Sequence, residues 1–62
     1  MPQAIVYAVE GHSAEQKKKL MQGITQAFVD AWDVDPQRVI VQIVECAGDS
    51  KSKGGVPFGE LG

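Results

Sequence analysis

Apolar residues fall into separate patterns along the chain, and each pattern predicts one element. Gln3 to Val9 (QAIVYAV) is rich in β-branched and aromatic side chains and ends at Glu10-Gly11, which reads as a strand closing in a turn. Ser13-Ala14-Glu15-Gln16 then fits a capping box, with Ser13 as N-cap and Gln16 reaching back from the third helical position. Beyond it Leu20, Ile24, Ala27, Phe28 and Ala31 recur at three- and four-residue spacing, the signature of one apolar helix face. The helix is expected to stop between Asp33 and Pro36, because the residue before a proline is driven out of the α region. Val39 to Val44 (VIVQIV) predicts a second strand. The remainder, Gly48 to Gly62, carries five of the seven glycines, and its Val56-Pro57-Phe58 piece suits a hairpin arm after a Gly54-Gly55 turn.

Strand, helix, strand predicts a βαβ unit: two parallel strands joined by a right-handed crossover helix. The expected fold class is therefore α+β, a single domain over residues 1–62 with a C-terminal hairpin arm. Both strands are nearly continuous apolar runs, as in sheets covered on both faces. One helix covers one face only. The other face and the sheet edges are expected to be covered by further copies of the chain.

Chain length sharpens that expectation. A chain of 62 residues is marginal without a staple. Cys46 is the sole cysteine and His12 the sole histidine, so neither an internal disulfide nor a four-ligand zinc site is expected, and no cofactor is implied. Oligomerisation remains. A net charge of −2, with the Lys17-Lys18-Lys19 cluster lacking interleaved aromatics, argues against nucleic acid as a partner. No apolar run is long enough to span a bilayer, and one unpaired cysteine suits a reducing compartment, so a cytoplasmic protein is expected.

Met1-Pro2 immediately before a strand, Glu10-Gly11-His12-Ser13-Ala14-Glu15-Gln16-Lys17 opening the helix, and Gly54-Gly55 near the end together resemble the 4-oxalocrotonate tautomerase family, without a gap over nearly the whole chain. The resemblance implies an amino-terminal proline as acid–base catalyst, sites built across subunits, and a hexamer assembled from dimers. Elementary chemistry is compatible with it. Enol–keto tautomerisation needs a base whose pKa lies near the working pH and a group that stabilises the developing enolate. Removal of Met1 would make Pro2 a free secondary amine, and apolar surroundings or nearby cations would favour its neutral, basic form. The expected function is an enol–keto tautomerase, an isomerase acting on a small enol or 2-keto acid, with Pro2 as general acid/base.

The departures from the family pattern fall on the substrate side. The family arginine after the Glu-Gly pair is replaced by His12, the arginine of the second strand by Ile40, and an aromatic near the paired glycines by Lys51. Neither His nor Lys reproduces the planar fork of arginine towards a carboxylate, so an altered substrate preference is expected. His12 remains a candidate substrate contact because imidazole is versatile near neutral pH. Arg38 is a candidate replacement: two residues before Ile40, it would share that residue's strand face at a spacing of about 6.6 Å. Lys51 could hold a carboxylate as a point charge. Otherwise Arg38 is expected to pair with Asp35 in solvent, Lys17 to extend outward, Glu45 to be a surface residue or interface partner, and Cys46 to be inert packing. Two further classes stay open, a catalytically silent subunit paired with a homologous active chain and a small-molecule-binding member without turnover.

Overall fold

The computed structural model describes residues 2–61. The chain runs β1 (Gln3–Val9), α1 (Ala14–Trp32), a 3-10 turn at Pro36–Arg38, β2 (Ile40–Cys46), a second 3-10 turn at Gly48–Ser50, β3 (Ser52–Lys53), β4 (Val56–Pro57) and a last 3-10 turn at Phe58–Glu60. β1 and β2 pair in parallel, in register from Gln3 opposite Ile40 to Val9 opposite Cys46. β3 and β4 form an antiparallel hairpin. The architecture is the α+β arrangement expected, a βαβ unit with a C-terminal arm.

The capping box forms in full: the Gln16 amide donates to Ser13 Oγ at 3.1 Å and the Ser13 amide to Gln16 Oε1 at 2.9 Å. The stop of α1 has a different cause from the one expected. Asp33 takes a left-handed conformation (φ 53°) and its amide donates to the Val29 carbonyl, so the helix ends on a left-handed cap three residues ahead of the proline. Pro36 instead opens the following 3-10 turn, where the missing amide of proline costs nothing, and the Asp35 carboxylate accepts from the Gln37 amide at 2.9 Å. Val39, expected to begin the second strand, closes this turn by donating to the Pro36 carbonyl at 3.2 Å. The strand therefore starts at Ile40. At its far end it outruns Val44, because Ala8 and Val9 continue the ladder opposite Glu45 and Cys46.

Within one copy burial alternates along both strands, so the helix covers one face of the sheet and the other stays open, as expected before further copies are added. Ala4, Val6, Ala8, Val41 and Ile43 are half-buried on the helix side, while Ile5, Tyr7, Ile40 and Val44 face outward, Tyr7 at 72% exposure. The helix differs from expectation. Lys17, Met21, Ile24, Thr25, Phe28 and Val29 are half-buried, whereas Leu20, Ala27 and Ala31 of the expected stripe stay exposed. That stripe is split: one part meets the sheet, and the rest joins Trp32, which stands edge-on to Phe28 at 5.1 Å, in an apolar groove open to the outside. Among the described residues no side chain is fully buried. The accessible surface is 4760 Å², against about 3,900 Å² for a compact monomer of this mass. The radius of gyration is 14.5 Å, against about 10.5 Å for a compact chain of this length.

The arm turns at Gly54 and Gly55, both with left-handed φ (62° and 83°), and its last 3-10 turn folds back on the one after β2. The contact there is backbone on backbone: a Cβ added to Gly48 would lie 3.1 Å from the Gly59 nitrogen. Gly48 has no left-handed φ, so the demand on it is space alone. A Gly48→Ala protein should therefore release the arm without disturbing the strand ladder. Amide exchange should accelerate over residues 48–60 while β1 and β2 keep their protection.

Candidate active site

Pro2 lies directly ahead of β1, half-buried, where a residue without an amide hydrogen loses no ladder bond. Its carbonyl accepts from the Ile40 amide at 3.0 Å, which extends the β1–β2 ladder by one bond and sets Pro2 beside the start of β2. The expected removal of Met1 falls outside the described residues. Arg38 is at the same end of the sheet, but it belongs to the 3-10 turn and is exposed, so the alternation of faces along β2 does not reach it. Nor does it pair with Asp35 through side chains: its amide donates to the Asp35 carbonyl at 2.9 Å, and the one ion pair among the described residues lies elsewhere.

His12 and Lys51 are at the opposite end. His12 is exposed in the connection between β1 and α1, just after Gly11, whose φ of 128° makes the turn. Lys51 follows the 3-10 turn after β2, its carbonyl accepting from the Phe58 amide at 2.8 Å and its ammonium 5.6 Å from the Phe58 ring centroid. A seven-residue strand spans about 20 Å, so within one copy Pro2, Ile40 and Arg38 are separated by roughly that length from His12 and Lys51.

The distal end holds a feature that periodicity alone does not give. Lys17 does not extend into solvent: its Nζ lies 2.8 Å from Glu45 Oε1, which ties the first turn of α1 to the end of β2. Lys17, Glu45, His12 and Gln16 surround a cavity of about 160 Å³ whose apolar wall is Ala8, Leu20 and Ile43. Glu45 is thus an internal partner rather than a free surface residue. Phe58 was also not singled out as a site residue. Its position three residues after the Gly-Gly turn was the available signal, since a two-residue turn returns the chain to pack on the strand that entered it. The Lys17–Glu45 contact had no such signal, because it spans 28 residues and depends on the parallel register.

Among the described residues no cluster of His, Cys, Asp and Glu could hold a metal ion, and no helix is long and apolar enough to cross a membrane. Pro2, Ile40 and Arg38 thus lie at one end of the sheet, and His12, Lys51 and Phe58 at the other.

Known proteins share this chain's sequence and fold. The family model described as "Tautomerase enzyme" matches residues 2–60. A protein of Bradyrhizobium diazoefficiens named "probable tautomerase" is 43% identical over 97% of this chain and 90% of its own length. The 2-hydroxymuconate tautomerase of Comamonas testosteroni is 37% identical over 100% of this chain and 98% of its own. Among solved structures, a 4-oxalocrotonate tautomerase isozyme of Methylibium petroleiphilum superposes with a TM-score of 0.89 at 33% identity, and a heterohexameric 4-oxalocrotonate tautomerase of Chloroflexus aurantiacus with 0.88 at 31%, each over 98% of both chains. A proline set at the head of a βαβ unit, with the same fold and sequence shared end to end, identifies the chain as a member of the tautomerase family of isomerases.

Proposed function

We propose that this chain is an enol–keto tautomerase acting on a small enol or 2-keto acid, with Pro2, freed by removal of Met1, as general acid/base. Residues 1–62 act as one unit in the cytoplasm, without a cofactor and without nucleic acid or membrane as partner. The observation that carries the reading is the division of the candidate residues between the two ends of the sheet. A second copy running the other way would bring its His12 and Lys51 to the first copy's Pro2, so the site is completed only by association. The unburied strand and helix faces supply the apolar surface for that association, and we take the assembly to be a hexamer, a trimer of dimers. The heterohexameric relative from Chloroflexus aurantiacus supports a hexameric arrangement. Light scattering at micromolar concentration should show one oligomer that loses its helical signal on dissociation. A monodisperse folded monomer would sink the proposal.

The reaction needs one proton moved. The unprotonated Pro2 nitrogen takes the enol O–H proton as the carbonyl forms, and the resulting ammonium returns that proton to the carbon that held the double bond. The amine is regenerated and the substrate gains and loses nothing. Only the free amine can begin the cycle, so kcat/KM should rise as pH passes upward through the amine's pKa and fall below it. With phenylenolpyruvate, Pro2→Ala should lose about 10²–10⁴-fold in rate. Retention of full activity across the pH profile would assign the proline a structural role.

Arg38 and Lys51 are the proposed anion contacts, with His12 and Ile40 lining the same site and narrowing its substrates. A hydrogen bond to a charged group is worth enough to change binding about tenfold or more. Arg38→Ala and Lys51→Ala should each raise KM for an anionic enol by that order and leave a neutral analogue nearly unchanged. Equal effects on both substrates would place the anion elsewhere.

The presence of His12, Ile40 and Lys51 in place of the expected site residues favours the alternatives without turnover, a catalytically silent subunit paired with a homologous active chain or a small-molecule-binding member. They part from the enzyme reading on the isolated protein. A silent subunit beginning at Pro2 ketonises no faster than its Pro2→Ala variant.

A further inference from the structure

The Lys17–Glu45 ion pair joins the two segments that lead to the distal candidates. Lys17 stands in the first turn of α1, its amide donating to the Ser13 carbonyl at 3.0 Å, and the connection immediately before it carries His12. Glu45 is the next-to-last residue of β2, and the chain immediately beyond it makes the 3-10 turn that delivers Lys51. The Nζ–Oε1 distance is 2.8 Å and the two side chains are 31% and 27% exposed. A lysine next to an apolar wall ordinarily runs its ammonium out to water. This one turns back to the strand end, and both partners border the same cavity as His12.

The backbone alone fixes these segments incompletely. The Glu10 amide donates to the Cys46 carbonyl at 2.9 Å, and the capping box sets the entry to α1, but among the described residues no hydrogen bond ties residues 11 and 12 to the arm. Among the described residues the ion pair is the one side-chain hydrogen bond between α1 and β2. Partly exposed pairs of this kind add little to stability, so the effect of this one is geometric.

We propose that Lys17 is a positioning residue: held by Glu45, it sets the His12 connection against the arm that carries Lys51, and so sets the anion-binding half of the composite site. The inference rests on the tautomerase reading above. It assigns Lys17 no contact with the substrate.

The test uses the assembled protein beginning at Pro2. Lys17→Met keeps the aliphatic stem and removes the charge. With phenylenolpyruvate it should raise KM about tenfold and change kcat by less than about twofold, since small displacements of a binding group are costly. Lys17→Arg should recover most of the loss, and so should the exchange of Lys17→Glu with Glu45→Lys. Amide spectra of Lys17→Met should show shifts at His12 and Lys51, with oligomeric state and melting temperature unchanged. A merely structural lysine would instead lower the melting temperature and leave KM in place, which overturns the proposal. Unmoved amides at His12 and Lys51 overturn it whatever the substrate proves to be. If Pro2→Ala in the same assay keeps the full rate, the tautomerase reading falls by itself, and the amide spectra still decide whether Lys17 positions the two segments.

Discussion

Two strands that run parallel cannot be joined by a tight turn, so the chain must leave the end of β1, travel back along the sheet and enter β2 from its starting end. The nineteen-residue helix α1 makes that return journey. Most of the molecule follows from this. The return segment lies on one face and leaves the other bare. Both strands begin at one end and finish at the other, which puts Pro2 beside Ile40 and places His12 and Lys51 beyond the strands' far ends. This separation is why the proposed site draws Pro2 and Arg38 from one copy and His12 and Lys51 from another.

The same constraint explains the absence of an interior. One helix against two strands gives every inward side chain neighbours on one side only, and among the described residues none reaches full burial. Folding ordinarily offsets the loss of chain entropy by removing apolar surface from water. Here the outer sheet face with Ile5, Tyr7, Ile40 and Val44, and the outer helix groove with Trp32, leave much of that surface in solvent. Association between copies would supply the missing burial, and stability is then expected to depend on that surface.

Electrostatics at the two ends differ in kind. At the head of the sheet Arg38 is an exposed guanidinium on a turn fixed by Asp35 and Pro36. At the far end two lysines have a structural neighbour: Lys17 is held by Glu45, and Lys51 lies over the Phe58 ring. Cations so held are better defined in place than free surface lysines, whose long side chains pay rotamer entropy on binding. The chain belongs to the tautomerase family over residues 2–60, and in the proposed site His12, Ile40 and Lys51 would set this member's preference.

The order of elements was legible in the sequence because it depends on local signals: short β-branched apolar runs for the strands, the 3.6-residue period of a helix, and the reciprocal cap of Ser13 and Gln16. The glycines of the arm's turn and the proline ahead of β1 were legible for the same reason, since each answers a backbone demand at its own position. What the sequence left open was set by distance in space. Val39 was diverted from the strand by its bond to Pro36, Arg38 was carried off the strand face by the same turn, and only part of the helix stripe meets the sheet. Lys17 found Glu45 across 28 residues only because the parallel register brings the first turn of α1 to the end of β2. Local periodicity fixes which residues can share a face of one element. Which faces meet, and which charges they bring together, is decided when the elements pack.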